Sequence, residues 1–292
     1  MSTYSIKDLE QVSGIKAHTI RIWEQRYHFL QPSRTQTNIR SYTSDELKTI
    51  LNVSLLNKYG FKISHIDKMS PDQMEEKILF LNQLDAIKER VVNVLIKEMV
   101  SLNMLAFEKQ LDLYVAQKGI EKTIIEIIFP FLERVGILWM TNHINPAQEH
   151  LATNILRQKL MLGIEKLPPI YETNKNVALF VPEGEYHEIG LLFLYFLLKQ
   201  QGVYVYYLGV NVPMKDLVFL NDIKKPSHIF CHLTSPSKAF KLDRFKSQID
   251  ELSATTPIVL SGQFVQEFKP SLSSKVEIKK SLHEVIQLIQ SI

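Results

Sequence analysis

The stretch VALFVPEGEYHEIG, residues 177–190, decides how this chain is read. Its first five residues are all apolar, the pattern of a strand buried on both faces. Pro182 and Gly184 end that run. A polar turn then carries Glu185, His187 and Glu188, and at Ile189 a second apolar run begins that is long enough for a buried helix. Strand, polar loop and helix make the opening half of a βα unit, and the alternation continues to the end of the chain. Strands are expected over 177–181, 203–208, 228–233, 258–261 and 276–278, and helices near 188–200, 214–222, 238–252, 263–270 and 282–290. Such an alternation predicts a doubly wound parallel sheet, most simply flavodoxin-like (Rossmann-like). Ligands of these sheets sit beyond the carboxyl ends of the strands at the switch point, which selects the loops 182–190, 234–237 and 261–263.

Upstream, Leu167-Pro168-Pro169 reads as a linker, and residues 71–168 read as helical throughout. Apolar residues recur there at helical spacing, as in Leu105, Phe107, Leu111 and Tyr114, with breaks at Gly119 and at 142–146. A small bundle of four or five helices is expected. Asn145 as N-cap, Pro146 and Gln148 start its last helix, which carries Glu149 and His150 in its first turn. The first 70 residues read as two short helices joined by Ser13-Gly14-Ile15, then a polar segment, then a helix from Thr43 or Ser44, closed by Ser70-Pro71. That is a helix-turn-helix followed by a small wing.

Composition narrows the class. A chain of 292 residues with 45% apolar and 22% charged residues is an ordinary globular protein. One cysteine, Cys231, excludes a disulfide framework and a Cys-rich zinc site and fits a reducing cytoplasm. The start lacks the apolar segment of a secretory signal, and the longest apolar run, 189–198, is about half of what a bilayer span needs. The net charge of +3 is small, but residues 1–70 hold ten Lys/Arg against six Asp/Glu. The excess positive charge therefore lies in the helix-turn-helix block, as in a polyanion-binding module.

Within that block Ile20, Trp23 and Tyr27 share one face of the second helix. His18, Ile22 and Gln25 are left outward, flanked by Arg21 and Arg26, where a recognition helix meets base edges and phosphates. Arg34 and Arg40 in the wing are placed to reach the adjacent backbone; a helical domain with solvated cations is the alternative. In the α/β segment, a histidine at the sheet edge can ligate a metal held by a cofactor. Glu185, two residues before His187, can hold the other ring nitrogen, fix the tautomer and raise its basicity. Gly190 would let a bulky ligand approach the helix start. A merely solvated His187 is the alternative here. No Ser/His/Asp triad, P-loop or metal-binding His pair is visible.

Residues 18–27, HTIRIWEQRY, and 30–47, LQPSRTQTNIRSYTSDEL, closely resemble the MerR-family DNA-binding domain, a likeness covering about residues 3–70 without a gap. It implies a winged helix-turn-helix that dimerises on a pseudo-palindromic operator, with Arg21, Arg26, Tyr27, Arg34 and Arg40 at the DNA surface. Glu185-x-His187-x-x-Gly190, then Cys231-His232-Leu233, then Ser261-Gly262, resembles the cobalamin-binding domain. That likeness implies His187 as lower axial ligand to cobalt, with the nucleotide tail alongside the sheet. Cys231 stands where that family has Ser, and Ser261 where it has the first Gly. Trp139, nine intervening residues and Glu149-His150 resemble the cap bundle of CarH/LitR-type light-sensing repressors. There the Trp covers the upper adenosyl group and the Glu contacts it. Those photoreceptors have a His after the Trp; this chain has Met140, so either His143 or His150 substitutes or the light chemistry ends differently.

The sequence thus points to a cytoplasmic transcriptional regulator rather than an enzyme. Its expected segments are a winged helix-turn-helix over 1–70, a helical cap over 71–168 and a cobalamin-binding α/β domain over 169–292. The expected cofactor is adenosylcobalamin, and the expected partners are double-stranded operator DNA and further copies of the chain, as a homodimer or tetramer, with no membrane. One alternative is a regulator whose vestigial cobalamin domain serves dimerisation or partner binding. The other is a corrinoid methyltransferase module or mutase part, against which the basic helix-turn-helix argues.

Overall fold

In the computed structural model, residues 4–34, 38–81, 84–140, 144–170, 175–237, 240–267 and 274–292 are described. The chain groups into two compact units, Met1–Ile155 and Leu156–Ile292.

The first unit begins with α1 (Ile6–Ser13), whose Ser5 and Asp8 form a reciprocal capping box. Gly14 ends it at φ 74°, a left-handed conformation that suits glycine. After the turn comes α2 (Ala17–Arg26), then the wing, β1 (Ser33–Arg34) paired antiparallel with β2 (Arg40–Ser41). Helix α3 (Ser44–Lys58) starts with a Thr43–Glu46 capping box and buries Leu47, Ile50, Leu51, Leu55 and Leu56. After the short α4 (Ile63–Ile66), α5 (Pro71–Leu79) follows. Ser70 and Pro71, expected to close the block, instead open this helix, because Ser70 caps the backbone of Gln73 and Pro71 sits where no N–H donor is needed.

Helices α6 (Leu84–Val100) and α7 (Met104–Lys118) follow, with Asn103 capping α7. The run 120–140 is not a plain helix: α8 (Ile120–Thr123) passes through one π turn (Ile124–Ile128) into α9 (Phe129–Met140). Pro130 explains the insertion, since it offers no N–H and its ring crowds the preceding turn. Phe107 and Phe131, both fully buried, meet edge-to-face at 5.4 Å in the bundle core. Helix α10 (Pro146–Glu165) starts as its sequence suggests: Asn145 Oδ1 accepts from Ala147 N at 2.9 Å, and the buried Gln148 reaches back to Asn145 N at 2.7 Å.

In the second unit, strands and helices alternate: β3 (Asn176–Pro182), α11 (Ile189–Gln200), β4 (Tyr204–Val212), α12 (Met214–Lys224), β5 (His228–His232), α13 (Leu242–Ser253), β6 (Ile258–Ser261), β7 (Val276–Lys279) and α14 (Leu282–Ser291). The helix expected over 263–270 is a single 3-10 turn, Phe264–Glu267, with 268–270 outside the described residues. The strands are parallel and lie in the order β4-β3-β5-β6-β7, which is the flavodoxin-like arrangement. Helix α11 is apolar nearly all round and buries Leu191, Leu192, Phe193, Leu194, Phe196, Leu197 and Leu198. The winding reverses between β3 and β5, so the loops after these two neighbouring strands open the crevice in which such sheets bind ligands.

Candidate functional site

Glu185 joins those two loops. Its side chain has no solvent exposure, yet both oxygens are fully engaged. Oε1 accepts from Tyr186 N at 2.8 Å and His187 N at 2.9 Å, and lies 2.6 Å from His187 Nδ1. Oε2 accepts from Thr234 N at 3.0 Å and Ser235 N at 2.8 Å, across the switch point. Burial pushes the Glu185 carboxyl up, but the His187 ring and the N–H groups of His187 and Ser235 outweigh it and hold the pKa at about 2. The carboxylate therefore stays charged and fixes Nδ1 of His187 as the protonated nitrogen. Nε2 is then the nitrogen that would ligate a metal, on a ring that is 53% exposed. The strand end of β4 closes the loop from the other side: Asn211 Oδ1 accepts from Gly184 N at 3.0 Å, and Asn211 N donates to Glu185 O at 3.1 Å. An exposed imidazole at the sheet's carboxyl edge, backed by a buried carboxylate, fits the donor chemistry of an axial cobalt ligand.

Around the end of β5, the expected residues Cys231 and Leu233 face one way and the intervening His232 the other. His232 turns toward α11, where its Nδ1 lies 3.0 Å from Ser261 Oγ. A Cβ at Gly190 would stand 2.2 Å from His232 Nε2. The room expected beside Gly190 for a ligand is taken by this ring. Burial brings the His232 pKa down to about 4, so the ring is neutral. Cys231 and Leu233 face the opposite way and are buried in the core with Phe180, Leu217, Phe245 and Ile249, where burial raises the thiol pKa. Gly262, at φ 102°, brings its backbone against Leu233, whose carbonyl oxygen would lie 2.1 Å from a Cβ there.

In the first unit, Trp139 ends α9 with 45% of its surface exposed. In the first turn of α10, Glu149 Oε2 lies 3.1 Å from His150 Nδ1. The side chain of Met140 and all of His143 lie outside the described residues.

On the helix-turn-helix, Ile20 and Trp23 are buried and His18, Arg21, Gln25 and Arg26 are exposed. Tyr27 leaves the helix in an extended conformation and stacks on Phe29 with centroids 6.0 Å apart. Arg34 is exposed and donates to Asn38 Oδ1 at 2.7 Å. Arg40 differs: its Nε lies 2.6 Å from Glu24 Oε2, with the two side chains 21% and 8% exposed. The Tyr42 hydroxyl donates to the other Glu24 oxygen. Glu24 in the recognition helix thus holds the wing, and the Nε edge of Arg40 is engaged inside the fold. The sequence points to Thr234 and Ser235 only as part of the loop 234–237, and does not mark Glu24 as the wing's anchor.

A winged helix-turn-helix followed by a helical bundle and a flavodoxin-like sheet with an edge imidazole defines a DNA-binding regulator built on a corrinoid-type scaffold. Residues 4–73 match the MerR HTH family regulatory protein model, and residues 84–162, the helical bundle, match a B12 binding domain model. The HTH-type transcriptional repressor CarH of Myxococcus xanthus is 30% identical over 221 residues, covering 74% of this chain and 73% of that protein. The repressor CarA of the same organism is 28% identical over 218 residues, 74% and 71% of the two chains. In fold, the monomethylamine corrinoid protein of Methanosarcina barkeri superposes with a TM-score of 0.55 at 14% identity, over 70% of this chain and 100% of that one. The chain belongs to the family of MerR-type helix-turn-helix transcriptional repressors that carry a B12-binding domain. Among the described residues no helix is long and apolar enough to cross a membrane.

Proposed function

We propose that the chain is a cytoplasmic repressor, not an enzyme, whose operator binding and self-assembly respond to adenosylcobalamin. Segment 1–70 binds DNA through His18, Arg21, Gln25, Arg26 and Arg34. Segment 169–292 would hold the cofactor's cobalt through His187. Segment 71–168 would contribute Trp139, Glu149 and His150 as residues that discriminate the adenosyl group. Adenosylcobalamin, when bound, supplies a light-sensitive cobalt–carbon bond, which makes light the candidate signal. The chain's own part is to discriminate: residues that touch the adenosyl group bias one assembly over another only if they lose a contact when it leaves. The observation that carries this reading is the buried Glu185 carboxylate holding Nδ1 of an exposed His187 at 2.6 Å.

The test is to add adenosylcobalamin to the full chain in the dark, record the visible spectrum, and run size exclusion and operator gel shifts before and after illumination. A His-ligated spectrum, lost in His187→Ala, is expected, with assembly in the dark that Trp139→Ala weakens. Absence of uptake overturns the cobalamin reading. The second reading, a sheet domain kept only for assembly, draws on His232 filling the space beside Gly190. It takes first place if the oligomer forms identically with and without the cofactor.

A further inference from the structure

The residue after His187 is tied down separately. Glu188 sits at the N-cap of α11 but makes no side-chain capping bond there. Its carboxylate instead receives Arg157 Nε on Oε2 at 2.8 Å and the Tyr207 hydroxyl on Oε1 at 2.8 Å. The Glu188 side chain is 11% exposed and that of Arg157 43%. Tyr207 is held in turn by stacking on Tyr195 of α11, centroids 5.3 Å apart. Arg157 lies on α10, and the end of α10 is gripped again where Lys199 Nζ donates to Ile164 O at 2.8 Å. His187 is therefore fixed on its ring side by Glu185 and on its backbone side by a chain of contacts that ends on α10.

We propose that Arg157 is a positioning residue for His187: the Arg157–Glu188–Tyr207 contacts latch the His187 loop to α10, so that a shift of α10 is felt at the lower ligand. The ligand part of this inference rests on the cobalamin reading above; the latch itself does not. The experiment uses the full chain and the variants Arg157→Met, Arg157→Lys and Glu188→Gln. Without cofactor, amide hydrogen exchange over residues 183–190 should quicken roughly threefold in Arg157→Met and Glu188→Gln, as for loss of one half-exposed ion pair. Exchange over 228–232 should stay unchanged, and Arg157→Lys should restore the loop. With adenosylcobalamin in the dark, Arg157→Met should raise the fraction of cofactor whose spectrum lacks His ligation, and Arg157→Lys should lower it again. Unchanged exchange over 183–190 in Arg157→Met overturns the latch. Quickened exchange with an unchanged spectrum overturns the positioning role. If the unaltered chain takes up no cobalamin, the function reading and the ligand role fall together, while the exchange result still decides the latch.

Discussion

Two glutamates with little side-chain exposure, one in each unit, grip a basic side chain, and the outcomes are opposite. Glu24 takes Arg40 by its guanidinium and Tyr42 by its hydroxyl. Glu185 takes His187 by Nδ1 and four backbone N–H groups besides. Arg40 is left 21% exposed with its charge used inside the fold, whereas His187 keeps 53% of its side chain in solvent. The difference lies in the shape of the held group. Arginine brings a permanent charge to the carboxylate through its Nε edge. Imidazole has two nitrogens on opposite edges, so holding one orients the other. The same chemical device withdraws one residue from the ligand surface and prepares the other.

Removing each carboxylate's role separately is the sharpest way to break the comparison. Both tryptophans, Trp23 and Trp139, lie in the first unit, so their fluorescence reports that unit while circular dichroism follows both. Glu185→Ala should have the largest effect. It strands the N–H groups of Thr234 and Ser235 as well as those of its own loop, and breaking such a buried arrangement costs roughly 3–5 kcal/mol. The second unit's urea transition should move while the tryptophan transition stays. A melt indistinguishable from the unaltered chain would show the hub to be dispensable.

Arg40→Ala should reverse that pattern. It leaves Glu24 with the Tyr42 hydroxyl but without its cation, at a cost of about 2 kcal/mol. The tryptophan transition should shift and the second unit's should not. DNA affinity should fall because the wing loosens, with the salt dependence of binding unchanged. If the log–log salt slope instead drops by roughly one, Arg40 does reach a phosphate and the Glu24 pair is broken on DNA.

A pH titration adds a third contrast. His232 is depressed to about 4 in the folded chain, so between that value and the ordinary 6.5 the unfolded chain binds more protons. Its contribution is complete above pH 6.5 and is lost as pH falls toward 4. The size should be about 2 kcal/mol, discounted because His232 is only partly buried as a residue. Glu185, held near 2, contributes its own loss only below the ordinary carboxylate value of 4.5. Melting curves between pH 7 and 4.5 should therefore flatten in His232→Gln; an unchanged slope assigns the acid sensitivity elsewhere.

The sheet was legible because buried parallel strands read as continuous apolar runs: residues 258–261 were bounded as they stand, and β4 merely runs on to Val212 beside β3. The π turn was not, since it answers to what Pro130 lacks rather than to an apolar period. At the site, Glu185 and His187 were legible as a spacing. Thr234 and Ser235 were legible only as part of the loop 234–237, because they act through backbone N–H groups that any residue other than proline could supply. His232 stood inside a motif whose middle position was treated as a spacer, although strand alternation already set it opposite Cys231. Arg40 looked like Arg34 in sequence, and only the fold shows which of them Glu24 reaches.

The smallest expected effect tests the outer face of the recognition helix. Arg21 is exposed on α2, one turn ahead of Gln25 and on the flank of the outward side. Its side chain is exposed, so Arg21→Ala should leave both unfolding transitions within about 0.5 kcal/mol of the unaltered chain. On DNA, one lost phosphate contact should reduce the log–log salt slope by roughly one and weaken binding at low salt on operator and nonspecific sequence alike. If Arg21 also reads a base edge, the operator should lose more than nonspecific DNA, by an added roughly 1–3 kcal/mol. An Arg21→Ala slope equal to that of the unaltered chain would take this face of α2 off the phosphates. The outward side would then rest on Gln25 and Arg26, and the contrast with Arg40 would lose its exposed member.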